Sequence, residues 1–366
     1  MITSSCDIVI VGAGMAGASL AAELAPHARV MVLEAEDLPG AHATGRSAAF
    51  WVESYGGPHI LPLTRASGRY LANHGFLRDR GGLHIARADQ LPLLERFERC
   101  FSQIGVALQR LDRAAMEALV PGLLPAWREA VLEPDARDID VAGLHQHYLA
   151  LARKAGAGLR CRTGLVQAER QSTRWRLALS DGQVLGCDIL VNAAGAWADG
   201  VACMAGARPL GITPYRRTMV QLAMGLALKP DLPLVLDIGG SFYFKPQGAS
   251  LWLTPHDEHP SMPCDAAADM EDVALAIDRL THTVDWPVDR VEHRWAGLRS
   301  FAPDRLPVYG PDVRVPGFFW FAGQGGFGIQ TAPAAARLAA RHLLDMAAGD
   351  EVTGLSLQPY LPVRFG

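Results

Sequence analysis

Short apolar runs alternate with small or polar residues along the first fifty positions, in an order that predicts a βαβ unit. Residues 7–11 read D-I-V-I-V, a continuous run typical of a strand buried on both faces of a parallel sheet. The run A-S-L-A-A-E-L-A then predicts a helix that ends before Pro26, and residues 29–33 predict a second buried strand. Between the first strand, Ile8 to Val11, and the helix lies the motif G-A-G-M-A-G.

This glycine motif indicates a dinucleotide-binding turn. Gly12 permits the tight turn, Gly14 lets the backbone approach a pyrophosphate, and Gly17 lets the helix pack closely on the strand. The start of the helix presents free N–H groups to the phosphates. Glu34 follows the second strand, roughly 20 residues after the first glycine, where an acid can accept hydrogen bonds from ribose hydroxyls. A glycine-rich turn without a ligand is the alternative, and the flanking strands, helix and acid disfavour it.

Three further segments favour FAD over NAD. Residues 34–49 are rich in small residues, contain T-G-R-S-A-A and lack a helical period, so they can run along a long cofactor. Residues 188–197 predict another buried strand that ends in small residues. Residues 318–331 predict a strand and a glycine-rich turn, followed by an alanine-rich helix from Ala332 to Ala348. The start of that helix could stabilise negative charge on a reduced flavin.

Length, charge and cysteine usage exclude several classes of function. A chain of 366 residues with 49 % hydrophobic residues suits two domains with a large core. The net charge of −4 and the absence of like-charge blocks argue against nucleic-acid binding. No apolar run is long enough for a transmembrane segment and no signal peptide is evident, so we expect a cytoplasmic protein, with peripheral contact to the inner membrane left open. The six scattered cysteines and the dispersed His256, His259, His282 and His293 predict no metal site.

Motifs spread from residue 12 to residue 331 resemble the D-amino acid oxidase-type family of FAD oxidoreductases, and within it the D-arginine dehydrogenases. They include G-A-G-M-A-G-A-S, T-G-R-S-A-A, D-I-D with a following L-H-Q-x-Y-L, V-N-A-A-G-A-W, R-P-L-G-I-T-P-Y-R-R, S-F-Y-F-K-P, W-A-G-L-R-S-F and G-Q-G-G-F-G-I-Q-T. The resemblance implies an α/β (α+β) fold with a glutathione-reductase-type FAD-binding Rossmann domain and a second, mixed-sheet substrate domain. It assigns residues 1–76, 141–205 and 291–366 to the FAD-binding domain and residues 77–140 and 206–290 to the substrate-binding domain. The mixed sheet would include residues 214–223, 234–238, 241–244 and 250–253.

The resemblance also implies the chemistry. A small-molecule D-amino acid would lose its Cα hydride to flavin N5, giving an imino acid that hydrolyses to a 2-oxo acid and ammonia, and a quinone or oxygen would reoxidise the flavin. The FAD is expected to be non-covalent, because neither the loop at residues 47–49 nor the segment S-F-A-P-D at residues 300–304 holds a cysteine or histidine for attachment. The residues expected to bind the cofactor are Gly12, Ala13, Gly14, Met15, Ala16, Gly17, Glu34, Ala35, Arg46, Ser47, Ala48, Ala49, Val166, Ala194, Gly195, Trp197, Gly325, Gly326, Phe327, Gly328, Ile329 and Gln330.

Four residues match the substrate-binding and catalytic positions of the family. Arg299 matches the carboxylate-binding arginine, and a guanidinium can hold a carboxylate through two parallel hydrogen bonds. Strand alternation places Arg216 and Arg217 on opposite faces, and the match favours Arg217. Tyr243 and Tyr55 match tyrosines whose hydroxyls reach the substrate. The alternatives are a surface salt bridge for Arg299, one solvated and one structural side chain for the pair Arg216 and Arg217, and a half-buried strand tyrosine for Tyr243.

Phe50, Leu83 and Gly326 complete the predicted substrate pocket. Phe50 stands where the D-arginine dehydrogenases have a histidine, and Leu83 stands where they have the acid that binds the guanidinium of the substrate. Burying a cation without a partner is costly, so we expect neutral or apolar side chains to be preferred over cationic ones. The neighbouring His84 is expected to be structural rather than catalytic.

Three other functions stay open from the sequence. A secondary or cyclic amino acid, as in sarcosine- or proline-type relatives, would use the same carboxylate clamp. A 2-hydroxy acid would need a base for its hydroxyl group, and the phenylalanine at position 50 disfavours that. A flavin-binding structural or sensor protein would have no need of the paired arginines and the tyrosine.

Overall fold

The structure is a computed structural model that describes residues 4–347, 349 and 352–366. The predicted βαβ unit forms part of its central sheet. Strands Ile8–Val11 and Val30–Leu33 pair in parallel, and helix Met15–Leu24 connects them. The helix begins before the predicted alanine-rich run, because Gly14 is already its extended N-cap. Residues 1–3, 348, 350 and 351 of the predicted FAD-binding segments lie outside the described residues.

The central sheet has six strands and is covered on both faces. Its strands pair in parallel except at one edge, where the last two are antiparallel. One face packs against helices Met15–Leu24, Leu61–Asn73, Val141–Lys154 and Ala332–Leu343, which confirms the predicted α/β class. The strand order is Gly158–Arg160, Val30–Leu33, Ile8–Val11, Ile189–Asn192, Phe318–Ala322 and Val308–Pro311.

A smaller four-stranded sheet covers the other face of the central sheet together with helix Ala198–Met204. The buried residues of this layer include Trp175 and Leu177, which pack against Trp320 of the central sheet. The strand order of the small sheet is Ser4–Ser5, Val184–Cys187, Arg174–Leu179 and Leu165–Gln171.

The second large sheet is the predicted mixed sheet. Strands Leu234–Asp237 and Gly82–Arg87 pair in parallel, and the other neighbours pair antiparallel. Strand Val288–Phe301 pairs with Thr213–Met224 and crosses the expected boundary at residues 290 and 291, so that boundary falls inside a continuous strand. The order along the sheet is His259–Pro260, Thr213–Met224, Ser250–Thr254, Tyr243–Gln247, Leu234–Asp237, Gly82–Arg87, Trp127–Glu133 and Gln109–Leu111.

The remaining elements lie around and between the two large sheets. Strands Phe50–Trp51, Arg137–Ile139 and Leu77–Asp79 form a three-stranded sheet. No helix within the described part of the chain is both long and apolar enough to span a bilayer. The other helices are Leu91–Gln103, Arg113–Leu119 and Met270–Thr281, with short 3-10 turns at Ala88–Gln90, Gly195–Trp197, Gln358–Tyr360 and Pro362–Phe365.

The last helix is shorter than predicted. It ends at Leu343 rather than Ala348, and Ala348 itself lies outside the described residues. Asp345 has a φ of 51°, in the left-handed region, and a residue in that conformation terminates a helix.

Candidate active site

A cavity of about 420 Å³ runs from the carboxyl ends of the central strands to the face of the mixed sheet. Val11, Leu33 and Ala193 line it where three neighbouring parallel strands end, which is where ligands bind in open α/β sheets. At its other end stand Arg217 and Arg299. We call this cavity the cleft, and its volume falls within the range of sites that hold a small ligand.

The glycine turn at one end of the cleft has no room for side chains. Gly12 has a φ of +100°, and a Cβ there would lie 2.5 Å from the carbonyl oxygen of Ala193. A Cβ on Gly17 would overlap the Gly12 carbonyl, and one on Gly14 would lie 3.2 Å from Thr44 Oγ1. The turn therefore keeps its backbone open toward the cleft, which fits a pyrophosphate.

The side chains of Glu34, Thr44 and His145 hold the glycine turn in place. Glu34 accepts hydrogen bonds from the Ala13 N–H at 2.9 Å and the Glu36 N–H at 3.0 Å, and it still lines the cleft. Thr44 Oγ1 accepts from the Met15 N–H at 2.9 Å.

His145 holds the same turn from behind. Its Nε2 donates to the Ala13 carbonyl at 2.9 Å, and burial lowers the pKa of His145, so the ring is neutral at pH 7. Sequence reasoning missed Thr44 and His145 as individual residues, although both lie in motifs that carry the resemblance.

Most of the predicted cofactor-binding residues lie in the cleft wall. Val166 does not: the residue is 56 % exposed at a β-bulge between Leu165 and Gln167, and Leu165 lines the cleft instead. Ala13, Gly17, Ala49, Phe327 and Gln330 lie behind the wall. The residues in the wall are Gly12, Gly14, Met15, Ala16, Glu34, Ala35, Arg46, Ser47, Ala48, Ala194, Gly195, Trp197, Gly325, Gly326, Gly328 and Ile329.

Arg46 lines the cleft, but its guanidinium is already engaged by protein groups. It donates to the carbonyls of Ala266 at 2.7 Å, Ala296 at 3.0 Å and Ala41 at 3.2 Å, and it forms an ion pair with Asp265. Arg46 therefore joins the loop of small residues at 34–49, which we call the small-residue loop, to the segment before helix Met270–Thr281.

The end of the cleft at the mixed sheet, where the sequence predicts the substrate and which we call the substrate end, is built around two arginines on neighbouring strands. Arg217 lies opposite Gly297, and Arg299 lies opposite Tyr215, so the arginines are diagonal neighbours on one face of the sheet. The Arg299 Nη1 group donates to Tyr55 Oη at 2.8 Å. A Cβ on Gly326 would meet both Tyr55 Oη and the Arg299 guanidinium. Gly326 therefore leaves open the space into which these groups point.

Tyr243 stands beside the same pair of arginines. The tyrosine is buried, and its hydroxyl donates to Met219 Sδ at 3.6 Å. Burial raises the pKa of Tyr243 despite the nearby positive charges of Arg299 and Arg217, so its hydroxyl stays protonated at neutral pH.

One donor of Arg217 has no partner among the described residues. Arg217 is only 3 % exposed, and it donates through Nε to the Asp257 carbonyl at 2.8 Å and through Nη2 to Glu258 at 3.1 Å. Its Nη1 is buried without a hydrogen bond. A buried, unpaired cationic donor is costly, so this end of the cleft is suited to an anion.

The strand of Arg299 is tied directly to the glycine-rich turn that lines the cleft. The carbonyl of Ser300 accepts the Gly325 N–H at 2.9 Å, and Phe301 forms a β-bridge with Gln324. The strand that carries Arg299 and this glycine-rich turn are therefore held at a fixed separation.

A family model described as FAD dependent oxidoreductase matches residues 7–342. The chain belongs to this family, the DAO family of FAD-dependent oxidoreductases. It is 24 % identical to hydrogen cyanide synthase subunit HcnC of Pseudomonas aeruginosa, over 98 % of this chain and 96 % of that protein. FAD is its cofactor, and the glycine turn with Glu34 and the small-residue loop would hold it.

Solved structures share the whole fold of this FAD-dependent oxidoreductase. Glycine oxidase from Geobacillus kaustophilus superposes with a TM-score of 0.85 at 24 % identity, covering 98 % of each chain. L-proline dehydrogenase from P. horikoshii superposes with a TM-score of 0.85 at 21 % identity, covering 100 % of this chain and 98 % of the other. The predicted FAD-binding Rossmann fold with a second mixed-sheet region is thereby confirmed.

Leu83 is not part of the substrate pocket in this FAD-dependent oxidoreductase. It is fully buried in the core on the far face of the mixed sheet, beside Ile85, Leu222 and Phe244. The neighbouring Gly82 faces the other way, since a Cβ there would lie 3.2 Å from Ala136 in the cluster around Tyr243. The prediction was wrong because a shift of one residue along a strand exchanges its two faces.

Phe50 also lies behind the cleft rather than in its wall. It is 5 % exposed, and its ring packs edge-on against Tyr55, with centroids 5.2 Å apart, and against Tyr243, with centroids 5.4 Å apart. Phe50 therefore supports the two tyrosines.

Arg216 points to the opposite face of the sheet, as strand alternation predicts. Its guanidinium bonds to Asp272 at 2.8 Å, and His259 Nε2 lies 3.2 Å from the same carboxyl group. His259, expected to be isolated, thus forms a cluster with Asp257 and Asp272 whose ligand atoms lie within 4.8 Å of one another. The guanidinium of Arg216 supplies the counter-charge there.

His256 is a neighbour of the substrate end that the sequence did not single out for this role. Its Nδ1 donates to the Gly240 carbonyl at 2.6 Å, and its ring lies 5.8 Å from that of Tyr243. Burial, together with the charges of Arg217 and Arg299, lowers the pKa of His256 to about 2. His256 is therefore uncharged at neutral pH.

Proposed function

We propose that this FAD-dependent oxidoreductase deaminates D-amino acids with neutral side chains, giving a 2-oxo acid and ammonia. The observation that carries the proposal is the pair of guanidiniums of the buried Arg217 and the half-buried Arg299, which lie beside two tyrosine hydroxyls at the end of the cleft. FAD, when bound, accepts the Cα hydride at N5. Non-covalent attachment of the FAD and reoxidation by a quinone or oxygen belong to the same proposal.

The chain's own residues would orient the amino acid through its carboxylate. Arg299, with Arg217 beside it, offers charged donors, and Tyr243 adds a neutral hydroxyl. A carboxylate fixed in this way restricts where the Cα–H bond can point, which is the main requirement for hydride transfer. The nearby positive charges also disfavour an ammonium group, so they help the substrate amine reach its neutral form.

The preference for neutral side chains rests on the charges around this end of the cleft. Met219 and Tyr243 line this end of the cleft, and Phe50 packs behind Tyr243, so the surroundings are largely apolar. The acid nearest to Arg217, Glu258, already pairs with Arg217 at 3.1 Å and with Arg305 at 2.9 Å. Among the described residues that line this end of the cleft, no other carboxylate could pair with a cationic side chain, and burying its charge unpaired is costly.

The relatives support amine oxidation in general terms. Glycine oxidase and L-proline dehydrogenase, whose folds this chain shares, are named for amino acid substrates. The D preference and the closeness to the D-arginine dehydrogenases rest on the resemblance of motifs. Oxidation of a 2-hydroxy acid is the less favoured alternative, because that reaction needs a base for the hydroxyl group and position 50 holds a phenylalanine where the D-arginine dehydrogenases have a histidine.

Anaerobic flavin bleaching tests the proposal. The holoenzyme is mixed with D and L forms of alanine, methionine, phenylalanine, leucine, arginine and lysine, and with glycine, sarcosine, L-proline, D-proline and D-lactate. We expect fast bleaching by neutral D-amino acids, slow bleaching by D-arginine and D-lysine, and none by D-lactate.

The outcomes of this panel separate the alternatives. If sarcosine or proline bleaches the flavin fastest, secondary-amine oxidation replaces the proposal. If D-arginine or D-lysine bleaches it fastest, the proposed side-chain preference is wrong. No bleaching by any compound would favour a non-enzymatic flavoprotein. Oxygen consumption after bleaching then distinguishes an oxidase from a dehydrogenase.

A further inference from the structure

Glu133 is a buried carboxylate that the proposed chemistry does not use. It ends strand Trp127–Glu133, and the residue is only 1 % exposed. Its Oε1 accepts hydrogen bonds from the Glu53 N–H at 2.7 Å and the Ser54 N–H at 3.2 Å, and its Oε2 accepts from Ser54 Oγ at 2.6 Å. One side chain of the mixed sheet thus satisfies three donors of a segment far away in the sequence.

The segment that Glu133 holds leads directly to Tyr55. The Tyr55 N–H donates to the Val52 carbonyl at 3.2 Å, so residues 52–55 form a turn. Gln330 forms hydrogen bonds to the same turn from the other side. Its Oε1 accepts the Val52 N–H at 3.2 Å, and its Nε2 donates to the Tyr55 carbonyl at 3.1 Å. The turn is therefore clamped between the mixed sheet and the last segment of the FAD-binding region.

The side chain that leaves this clamped turn reaches the anion-binding end of the cleft. Tyr55 Oη accepts the hydrogen bond from Arg299 Nη1 at 2.8 Å and lies next to the space that Gly326 leaves open. Small displacements of such a group reduce its contribution to binding, because hydrogen bonds weaken steeply with distance and angle.

We propose that Glu133 is a positioning residue for the substrate carboxylate and that it acts through Tyr55. The inference rests on the proposed function in one respect, that the anion at Arg299 is a carboxylate. Without Glu133, two backbone N–H groups and a hydroxyl would lose their shared acceptor, and the turn would shift to regain partners. His84 Nε2 lies 3.6 Å from Glu133 Oε2, too far to replace the hydrogen bonds from the turn.

The test measures carboxylate binding separately from turnover. Benzoate is titrated into the oxidised holoenzyme, and its Kd is read from the change in flavin absorbance for wild type, Glu133→Ala, Glu133→Gln, Tyr55→Phe and the double variant Glu133→Ala with Tyr55→Phe. Glu129→Gln is the matched control, because Glu129 lies on the same strand and its carboxylate pairs with Arg110 at the sheet edge. FAD content and Tm are recorded for each variant.

We expect Glu133→Ala to raise the benzoate Kd about tenfold, as the loss of hydrogen bonds to a charged group does. Glu133→Gln should stay within about threefold of wild type, because its amide oxygen still accepts from the backbone. In the Tyr55→Phe background the effect of Glu133→Ala should vanish, which a merely structural role would not produce.

Three results would overturn the inference: an unchanged Kd in Glu133→Ala, an equal rise with and without Tyr55 Oη, or no benzoate binding by the wild type. If Glu133→Ala does not retain FAD, Glu133→Asp takes its place, and the same loss of effect in the Tyr55→Phe background is required. A protein that binds benzoate as expected but is bleached by no amino acid would contradict the proposed function and leave the positioning role supported.

Discussion

Arg217 and Arg299 lie diagonally across two paired strands, with both guanidiniums at the same end of the FAD cleft. Burial, together with the charge of Arg299, lowers the pKa of Arg217 to about 10, so both groups are cationic at neutral pH. The two cations repel each other, and among the described residues Glu258 partly offsets their charge. A bound carboxylate would relieve that repulsion, which is the physical basis of the proposed substrate binding.

Replacing Arg299 should remove most of the binding of the transition state. We expect Arg299→Met to lower kcat/KM at least about 100-fold on the best substrate, because a charge-assisted pair to the carboxylate is lost. Arg290→Met is the control, since Arg290 lies on the same strand and is exposed. The measurement is steady-state kinetics, with the FAD content of each variant determined in parallel. Equal kcat/KM values for the two variants would contradict the role of Arg299 in substrate binding.

Gly326→Ala should block the substrate without removing the cofactor. Its Cβ would meet Tyr55 Oη and the Arg299 guanidinium, so we expect KM to rise about tenfold or more while the flavin absorbance per protein stays unchanged. Rapid-scan kinetics and flavin quantitation give the two readouts. A variant with normal KM would show that the substrate does not use this space.

Glu34→Ala should weaken FAD binding. The change removes the acceptor for the Ala13 N–H and the predicted partner of the ribose, so we expect the FAD Kd to rise about tenfold. Glu169→Gln, at an exposed position on the edge strand of the small sheet, should behave like wild type. Titration of apoprotein with FAD, followed by fluorescence quenching, measures both. An unchanged Kd in Glu34→Ala would remove Glu34 from the cofactor site.

His256 should make the fold less stable at low pH. The pKa of His256 is depressed in the folded protein to about 2, so the unfolded chain takes up a proton as the pH falls below about 6.5 and the folded protein does not. Stability is therefore lost as the pH falls, and His256→Gln should remove on the order of 1 kcal/mol of the loss between pH 7 and 5. Tm values at both pH values test this, and parallel curves for the two proteins would contradict it.

Local chemistry made the cofactor half of the molecule predictable. The strand Ile8–Val11 and the glycine turn follow from β-branched burial and from the lack of room for a Cβ, both of which are visible in a few consecutive residues. Alternation along a strand places Arg216 and Arg217 on opposite faces without any knowledge of the partner strands, and the resemblance then favours Arg217.

The residues that sequence reasoning missed depend on register and on distant contacts. The predicted place of Leu83 in the pocket depends on the register of its strand, and a slip of one position reverses the face of a strand. Glu133 meets Ser54 across 79 positions, and His145 meets Ala13 across 132, so no local pattern connects them. Such pairs are specified only when the sheets are assembled.

The link between Ser300 and Gly325 has a consequence for the length of the substrate. Since the strand of Arg299 and the turn that lines the cleft are joined by a backbone hydrogen bond and a β-bridge, the carboxylate anchor cannot move away from the cofactor end independently. Under the proposed function, the carbon next to a carboxylate held there would be the one that is presented for oxidation. We therefore expect a β-amino acid, whose amine sits one carbon farther along, to be oxidised poorly.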